Sequence, residues 1–322
     1  MRTIALEEHF VSERLAEAAG AGLVGPRLGP GTLTDLGPVR LRSMDESSID
    51  VQVISHIWPT YAPLAAGQEA DIATAANDQL AAAVAVHPDR FAGFAALPVG
   101  DTEASVRELD RGVSELGFCG ALIFGRAQGR FLDHPSLFPV LERAAALGVP
   151  LYLHPGLPTE SLRREHYDGL TPAVSQVLAT AGWGWHAETG LHALRMIVSG
   201  IFDRLPGLQV IIGHMGEMIP FMLDRIEELL TPAAQREGPQ RTVAETFRSN
   251  FWVTTAGLFT LPPFLLLLQS VGADRVLFSV DYPFSSNRQG RAFLDALPIS
   301  PADQEKISHL NAERLLNLPA GQ

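Results

Sequence analysis

Acidic and imidazole side chains recur at the ends of apolar segments in this chain. The segment TIALEEH carries Glu7 and His9, VPLYLHP carries His154, LQVIIGHM carries His214, and RVLFSVDYP carries Asp281. Neutral imidazole nitrogen and carboxylate oxygen are ligands for divalent transition metals such as zinc and manganese. One such residue alone is more often structural. The same residue types at the ends of four of eight segments indicate a metal site with an open coordination position.

These side chains can meet only if the apolar segments are strands that end on one face. Eight segments alternate with helical patterns, at residues 3–9, 51–56, 91–98, 120–125, 149–155, 208–215, 250–257 and 275–283. Continuous apolar segments are typical of parallel strands covered on both faces, and eight strand-helix units predict a (β/α)8 barrel, one domain over residues 1–322. The carboxyl ends of all its strands open on one face. A doubly wound sheet is the alternative, but no glycine-rich fingerprint follows the first segment.

The first segment places two carboxylates and an imidazole in a row. Residues two apart on a strand point to the same side, so Glu7 and His9 are expected to face the barrel axis. Glu8 is then expected to face away, as a solvated or helix-facing carboxylate. His56, at the end of the second segment, is predicted to line the pocket rather than to bind metal.

Two stretches are too long to be simple connections. Residues 20–40 are rich in glycine and proline without a sustained period, and residues 157–190 are a second excursion. Long loops in a compact domain often form lids or binding surfaces, and an oligomer contact is an equally ordinary use. Helix signals elsewhere include Asp101 and Thr102 as candidate amino-terminal caps and Gly148 as a carboxyl-terminal stop.

Composition restricts the class of partner. The formal net charge of −12 over 322 residues argues against a nucleic-acid surface, because phosphate binding needs a clustered basic face. A small-molecule substrate is expected instead. Cys119 is the only cysteine, which excludes an intrachain disulfide and a thiolate metal cluster. No secretory signal and no apolar segment of roughly 18 residues is present, so a cytoplasmic protein without membrane contact is expected.

Four motifs carry a resemblance to a known family. They are LEEHF near the start, LYLHPG in the middle, IIGHMGE followed by PFMLDRI, and FSVDYPF near the end. In this order they resemble the amidohydrolase-related decarboxylases, which include the γ-resorcylate, 2,3-dihydroxybenzoate, 5-carboxyvanillate and aminocarboxymuconate semialdehyde decarboxylases. The resemblance covers nearly the whole chain. It implies a (β/α)8 barrel with one divalent metal ion, Zn²⁺ or Mn²⁺, per chain.

The same resemblance implies roles for individual residues. It gives the metal four ligands, namely Glu7, His9, His154 and Asp281. It gives catalytic roles to His214 and Glu217. It also suggests that Arg225 reaches the carboxylate of a substrate. That substrate could be bound in a neighbouring subunit.

A decarboxylation without an external electron acceptor is the chemistry predicted for these residues. A metal can hold a carboxylate and an adjacent hydroxyl of a small hydroxylated aromatic or related unsaturated acid, while Asp281 protonates carbon. His214, oriented by Glu217, could hydrogen-bond the hydroxyl. A hydrolase or hydratase that uses Asp281 as a base is the alternative, and retention of the whole residue set disfavours an inactive binding protein. The segment GALIFG lacks the lysine that bridges two metals elsewhere in the superfamily, and the only lysine is Lys306, so one metal is expected.

The substrate pocket is predicted to be mostly aromatic. Its candidates are Phe10, His56, Trp58, Tyr61, Phe124, Trp183 and Phe284. Phe124 and Val280 stand where many of the resembling decarboxylases have polar residues, so altered substrate contacts are expected. The apolar segment MIPFMLDRIEELL carries Arg225, which predicts a partly buried arginine at a subunit contact and a homodimer or homotetramer.

Overall fold

Parallel strands alternate with helices throughout the computed structural model, which describes residues 1–19, 32–58 and 67–320. The described residues form nine strands: β1 (Ile4–Phe10), β2 (Val51–His56), β3 (Phe91–Gly93), β4 (Ala95–Ala96), β5 (Ala121–Phe124), β6 (Leu151–His154), β7 (Val210–Ile212), β8 (Phe251–Thr254) and β9 (Val276–Leu277). The order of the strands in the sheets follows the order of the sequence, and every pair is parallel.

The strands pair as β1-β2-β3 and as β4 through β9, and backbone hydrogen bonds bridge both breaks. Phe94 separates β3 from β4, and its N–H donates to the Ile54 carbonyl at 2.9 Å, so β3 and β4 occupy one strand position. At the other break the Leu6 N–H donates to the Phe278 carbonyl at 3.2 Å. The strands therefore form a ring of eight positions, and the prediction of a (β/α)8 barrel is confirmed.

The helices follow the strands and cover the ring. They are α1 (Glu13–Ala19), α2 (Pro38–Glu46), α3 (Gln68–Val86), α4 (Thr102–Ser114), α5 (Phe138–Leu147), α6 (Glu160–His166), α7 (Pro172–Ala179), α8 (Gly184–Val198), α9 (Ile201–Arg204), α10 (Ile219–Glu237), α11 (Val243–Asn250), α12 (Leu261–Val271), α13 (Asn287–Asp295), α14 (Pro301–Glu305) and α15 (Asn311–Leu316). None of the helices in the described part of the chain is both long and apolar enough to span a bilayer.

The predicted helix signals are partly confirmed. Asp101 caps α4, since its carboxylate accepts from the Ala104 N–H at 3.0 Å, whereas Thr102 is already the first helical residue. Gly148 ends α5 with a φ of 68°, a left-handed conformation that glycine adopts without steric cost.

The two predicted excursions have different outcomes. Residues 20–31 lie outside the described residues, and the remainder of the first excursion leads into α2. Residues 157–190 contain α6, α7 and the start of α8, so this stretch is largely helical rather than an irregular loop.

Two apolar layers hold the strands in place. Alternate strand residues, such as Ile4, Leu6, Val53, Leu122 and Ile211, belong to one buried cluster that fills the ring. Their strand neighbours, such as Ala5 and Ile54, pack with the covering helices in a second and larger cluster. Burial on both faces explains why the strands are continuous apolar segments in the sequence.

Candidate active site

Four predicted metal ligands lie together where the strands end. One ligand atom from each of Glu7, His9, His154 and Asp281 lies within 4.8 Å of the others. His9 Nε2 is 3.2 Å from Asp281 Oδ1, and His154 Nε2 is 3.2 Å from Glu7 Oε1. Residues from both ends of the chain and from its middle therefore converge on one point, as the prediction required.

The donor atoms of this cluster fit a cation. Among the described residues, the buried atoms Glu7 Oε1 and His9 Nε2 make no properly directed hydrogen bond, although each lies 3.2 Å from another ligand atom and buried polar atoms normally have a partner. The other ring nitrogens are occupied, because His9 Nδ1 lies 3.1 Å from Ser55 Oγ and His154 Nδ1 lies 2.8 Å from the Pro155 carbonyl oxygen. Such outer contacts orient an imidazole so that Nε2 faces the metal position.

Backbone irregularity, rather than regular strand geometry, aims two of the carboxylates. Glu7 has a φ of 61°, and the pairing of β1 with β2 shifts between Ala5 and Glu8. Asp281 has a φ of 71° and lies four residues beyond the end of β9, in a loop. Non-glycine residues in this conformation are rare and concentrate at functional sites. Gly213 leaves room for the Glu7 side chain, since a Cβ at that position would lie 2.6 Å from Glu7 Oε2.

Burial and neighbouring charges set the protonation of the cluster. Burial acts against ionisation of Glu7, but the imidazoles of His214, His154 and His9 outweigh it and lower the pKa of Glu7 to about 2. Burial and the charge of Glu7 raise the pKa of Asp281 to about 7. Burial holds the pKa of His9 well below its usual value, so its imidazole is neutral. A neutral imidazole and an ionised carboxylate are the forms that bind metal.

A carboxylate between two imidazoles forms the second part of the site. Glu217 Oε1 lies 2.8 Å from His214 Nδ1, and Glu217 Oε2 lies 2.7 Å from His186 Nδ1. Burial opposes charge on both partners, yet their attraction lowers the pKa of Glu217 to about 2 and raises the pKa of His214 to about 10. The carboxylate fixes the His214 ring, whose Nδ1 also lies 3.9 Å from Glu7 Oε1.

His186 is a site residue that the sequence reasoning missed. It lies in α8, inside the stretch 157–190, and its ring centroid is 4.6 Å from that of His214. The sequence offers no signal for it beyond a histidine in WGWHAE, because no strand ends there and no spacing relates it to His214.

The aromatic candidates divide into near and remote residues. The Phe124 ring centroid lies 4.1 Å from that of His154, and the Phe284 centroid lies 5.8 Å from that of His9. Phe10 is fully buried in the core, with its ring 5.2 Å from that of His56. His56 is buried, and its Nε2 lies 3.0 Å from Ser12 Oγ.

Two of the remaining aromatic candidates lie within the described residues and one lies outside them. The Trp58 ring centroid lies 5.7 Å from that of His56, and Trp183 is exposed where α8 begins. Tyr61 lies outside the described residues. Arg225 is exposed on α10 and pairs with Glu228 at 3.0 Å, so the single chain does not bring it to the cluster.

Glu8 corrects one expectation. Of the two alternatives expected for Glu8, solvated or helix-facing, the solvated carboxylate is wrong, since Glu8 is 0% exposed and both of its oxygens accept hydrogen bonds. The bonded groups are backbone N–H groups beyond β9, which the chain brings beside β1 only on folding. Sequence spacing gave no indication of them.

Comparisons with known proteins agree with this geometry. The amidohydrolase family model matches residues 11–318. Over 98% of its length, the chain is 38% identical to the decarboxylase orsB of Emericella nidulans and 39% identical to γ-resorcylate decarboxylase of Rhodococcus jostii, covering 97% and 98% of those proteins. The solved dihydroxybenzoic acid decarboxylase of Polaromonas sp. JS666, with bound manganese and the inhibitor 2-nitroresorcinol, has a TM-score of 0.89 at 37% identity, covering 99% of this chain and 98% of that one.

Proposed function

Because the chain belongs to the amidohydrolase family and is a decarboxylase within it, we propose that it removes the carboxylate of a small hydroxylated aromatic acid or a related unsaturated acid. The observation that carries this proposal is the buried cluster of Glu7, His9, His154 and Asp281, with its unpartnered carboxylate and imidazole atoms. The γ-resorcylate and dihydroxybenzoic acid decarboxylases among the relatives support the aromatic substrate class.

The reaction needs a proton but no oxidant. A proton adds to the ring carbon that bears the carboxylate, and the ring temporarily loses aromaticity. The carbon-carbon bond then breaks, its electron pair returns to the ring, and carbon dioxide leaves. The site must therefore supply an acid close to that carbon and a group that steadies the charge of an adjacent hydroxyl.

Asp281 is proposed as the acid. Its side chain is 17% exposed, whereas the side chains of Glu7 and His9 are fully buried, so Asp281 is the one of these three groups that solvent reaches. Burial and the charge of Glu7 raise the pKa of Asp281 to about 7, which favours a carboxyl group that holds a proton near neutral pH. A bound cation would act in the opposite direction.

His214 is proposed to hydrogen-bond the substrate hydroxyl. Its Nδ1 is committed to Glu217, so its Nε2 is the atom that can meet a ligand. The Glu217 carboxylate, itself held by His186, supports positive charge on His214 when negative charge develops on the hydroxyl oxygen. The aromatic rings of Phe124 and Phe284 beside the ligand imidazoles suit a flat ring.

Glu7, His9, His154 and Asp281 would hold one Mn²⁺ or Zn²⁺ ion, and the manganese in the Polaromonas relative supports Mn²⁺. When bound, the ion would supply Lewis acidity and a template for the carboxylate and the neighbouring hydroxyl of the substrate. The chain's own residues then orient the acid, donate its proton and stabilise the hydroxyl.

A panel of hydroxybenzoates incubated with the metal-loaded protein tests the proposal. We expect carbon dioxide from at least one acid with a hydroxyl next to the carboxylate, and deuterium at the vacated carbon when the reaction runs in heavy water. A parallel panel of lactones and amides examines the hydrolase alternative. Cleavage of those compounds without any decarboxylation would replace the proposal.

Association of subunits is the second proposal for this chain, and it rests on α10. The outer side of α10 exposes Phe221 at 77% and also Met222 and Leu229, with Arg225 among them. Apolar side chains grouped on a helix face are typical of protein contacts. We expect a homodimer or homotetramer, so light scattering should give a multiple of the 34.7 kDa chain mass.

Phe221→Glu should shift that mass toward 34.7 kDa, because it places a charge in the apolar contact. Val86→Glu is the matched control, since Val86 is similarly exposed at the end of α3 and should leave the mass unchanged. A wild-type protein that is monomeric and fully active would remove the association proposal.

A further inference from the structure

Glu8 stands between two proposed metal ligands and takes no part in the proposed chemistry. It is fully buried, and both carboxyl oxygens are engaged. Oε1 accepts from the Val280 N–H at 2.9 Å, and Oε2 accepts from the Tyr282 N–H at 3.1 Å. A buried acidic side chain is retained only where its partners offset the cost of removing it from water, so this arrangement requires an explanation.

The two bonded N–H groups lie on either side of Asp281. Asp281 itself has a φ of 71°, a backbone conformation that L-residues hold only when the surroundings impose it. The His9 N–H donates to the Tyr282 carbonyl at 2.7 Å, which ties the same loop to β1 a second time. The Asp281 loop is thus held against β1 by both the side chain of Glu8 and the backbone of His9.

Arg40 and Gln52 extend this network to His9. The Gln52 amide donates to Glu8 Oε2 at 3.3 Å and accepts from Arg40 Nη1 at 3.0 Å. Arg40 is fully buried, and its Nη2 donates to the carbonyl oxygen of His9. One connected set of buried polar groups therefore contacts the backbone of His9 and both backbone neighbours of Asp281.

We propose that Glu8 is a positioning residue: its carboxyl group holds the backbone on both sides of Asp281, so that the Asp281 side chain meets Glu7, His9 and His154 at the metal position. This inference rests on the proposed function, which gives Asp281 its roles as ligand and acid. An apolar residue at position 8 could accept neither N–H group. In the sequence LEEHF, Glu7 is then a metal ligand, Glu8 the positioning residue and His9 a second metal ligand.

Glu8→Gln tests the proposal at nearly constant side-chain volume. The amide has one acceptor oxygen, so its NH₂ group would face a backbone N–H of the Asp281 loop. We expect the Kd for Mn²⁺, measured from free Mn²⁺ by electron paramagnetic resonance without substrate, to rise roughly 10- to 100-fold, as for other partners of ligands. Turnover at saturating Mn²⁺ should fall at least about tenfold through kcat, with little change in KM.

Glu108→Gln is the matched control. Glu108 is a buried carboxylate held by an arginine and an amide, at 2.7 Å from Arg111 Nη2 and 2.6 Å from Asn77 Nδ2, outside the ligand cluster. It should lower thermal stability while leaving the Mn²⁺ Kd and kcat unchanged. Glu8→Gln that behaves like this control, less stable but with wild-type Kd and kcat, would overturn the positioning role.

A second variant covers the case in which Glu8→Gln does not fold. Gln52→Ala removes the link between Arg40 and Glu8 but leaves both backbone N–H groups with their acceptor. It should raise the Mn²⁺ Kd in the same direction by a smaller factor, and an unchanged Kd in this folded variant would count against the proposal. The Kd is measured without substrate, so a wild type that decarboxylates nothing would reject the proposed function and leave this test standing.

Discussion

Asp281→Asn, loaded with Mn²⁺, should decarboxylate its substrate about 10² to 10⁴ times more slowly than the wild type, the usual loss for a general acid. Asparagine preserves the shape of the side chain and one oxygen that can lie near His9 Nε2, at the place where Asp281 Oδ1 lies 3.2 Å away. It has no carboxyl proton to deliver to carbon. Turnover should therefore fall while substrate affinity changes much less.

The measurement needs the metal content and the rate from the same sample. Elemental analysis shows how much Mn²⁺ the variant retains, and the initial rate of carbon dioxide release is compared at equal occupancy. Asp274→Asn is the control, because Asp274 is an exposed carboxylate paired with Lys306 at 2.9 Å and lies outside the ligand cluster. Wild-type carbon dioxide release by Asp281→Asn at full occupancy would show that Asp281 is not the acid.

The parts of the site that follow strand ends could be predicted from the sequence. Parallel strands bring their carboxyl ends to one face, so the types and order of Glu7, His9, His154 and Asp281 were enough to place them together. The resemblance to the amidohydrolase-related decarboxylases, read from four short motifs, is confirmed by relatives that match nearly the whole chain.

Other features depend on geometry that no spacing rule describes. The regular alternation expected along β1 is interrupted at Glu7, whose positive φ shifts the pairing of β1 with β2. Asp281 lies in a loop, although the segment 275–283 resembles one continuous strand. The partners of Glu8 and Glu217 come from distant parts of the chain. The sequence therefore does not identify Gln52, Arg40 and His186 as members of these networks, and only the three-dimensional structure shows their contacts.

His154→Ala should lose bound metal and activity together while the barrel stays folded. The His154 side chain contacts the Pro155 carbonyl and the Phe124 ring and otherwise faces the ligand cluster, so its removal deletes a ligand without deleting a core apolar side chain. Elemental analysis after gel filtration should give close to one metal ion per wild-type chain and almost none for the variant. Two tightly bound ions per wild-type chain would contradict the single-metal site.

Thermal unfolding separates loss of the ligand from loss of the fold. At a free Mn²⁺ concentration 100 times its Kd, binding stabilises the wild type by about 2.7 kcal/mol, so its Tm should rise over the chelated sample. The Tm of His154→Ala should equal that of the chelated wild type and should not change when Mn²⁺ is added.

His192→Ala is the control: His192 is another buried histidine, whose Nε2 accepts from the Leu132 N–H at 2.7 Å. That variant should unfold at a lower temperature yet still gain stability from Mn²⁺, because it removes a structural hydrogen bond and leaves all four ligands in place.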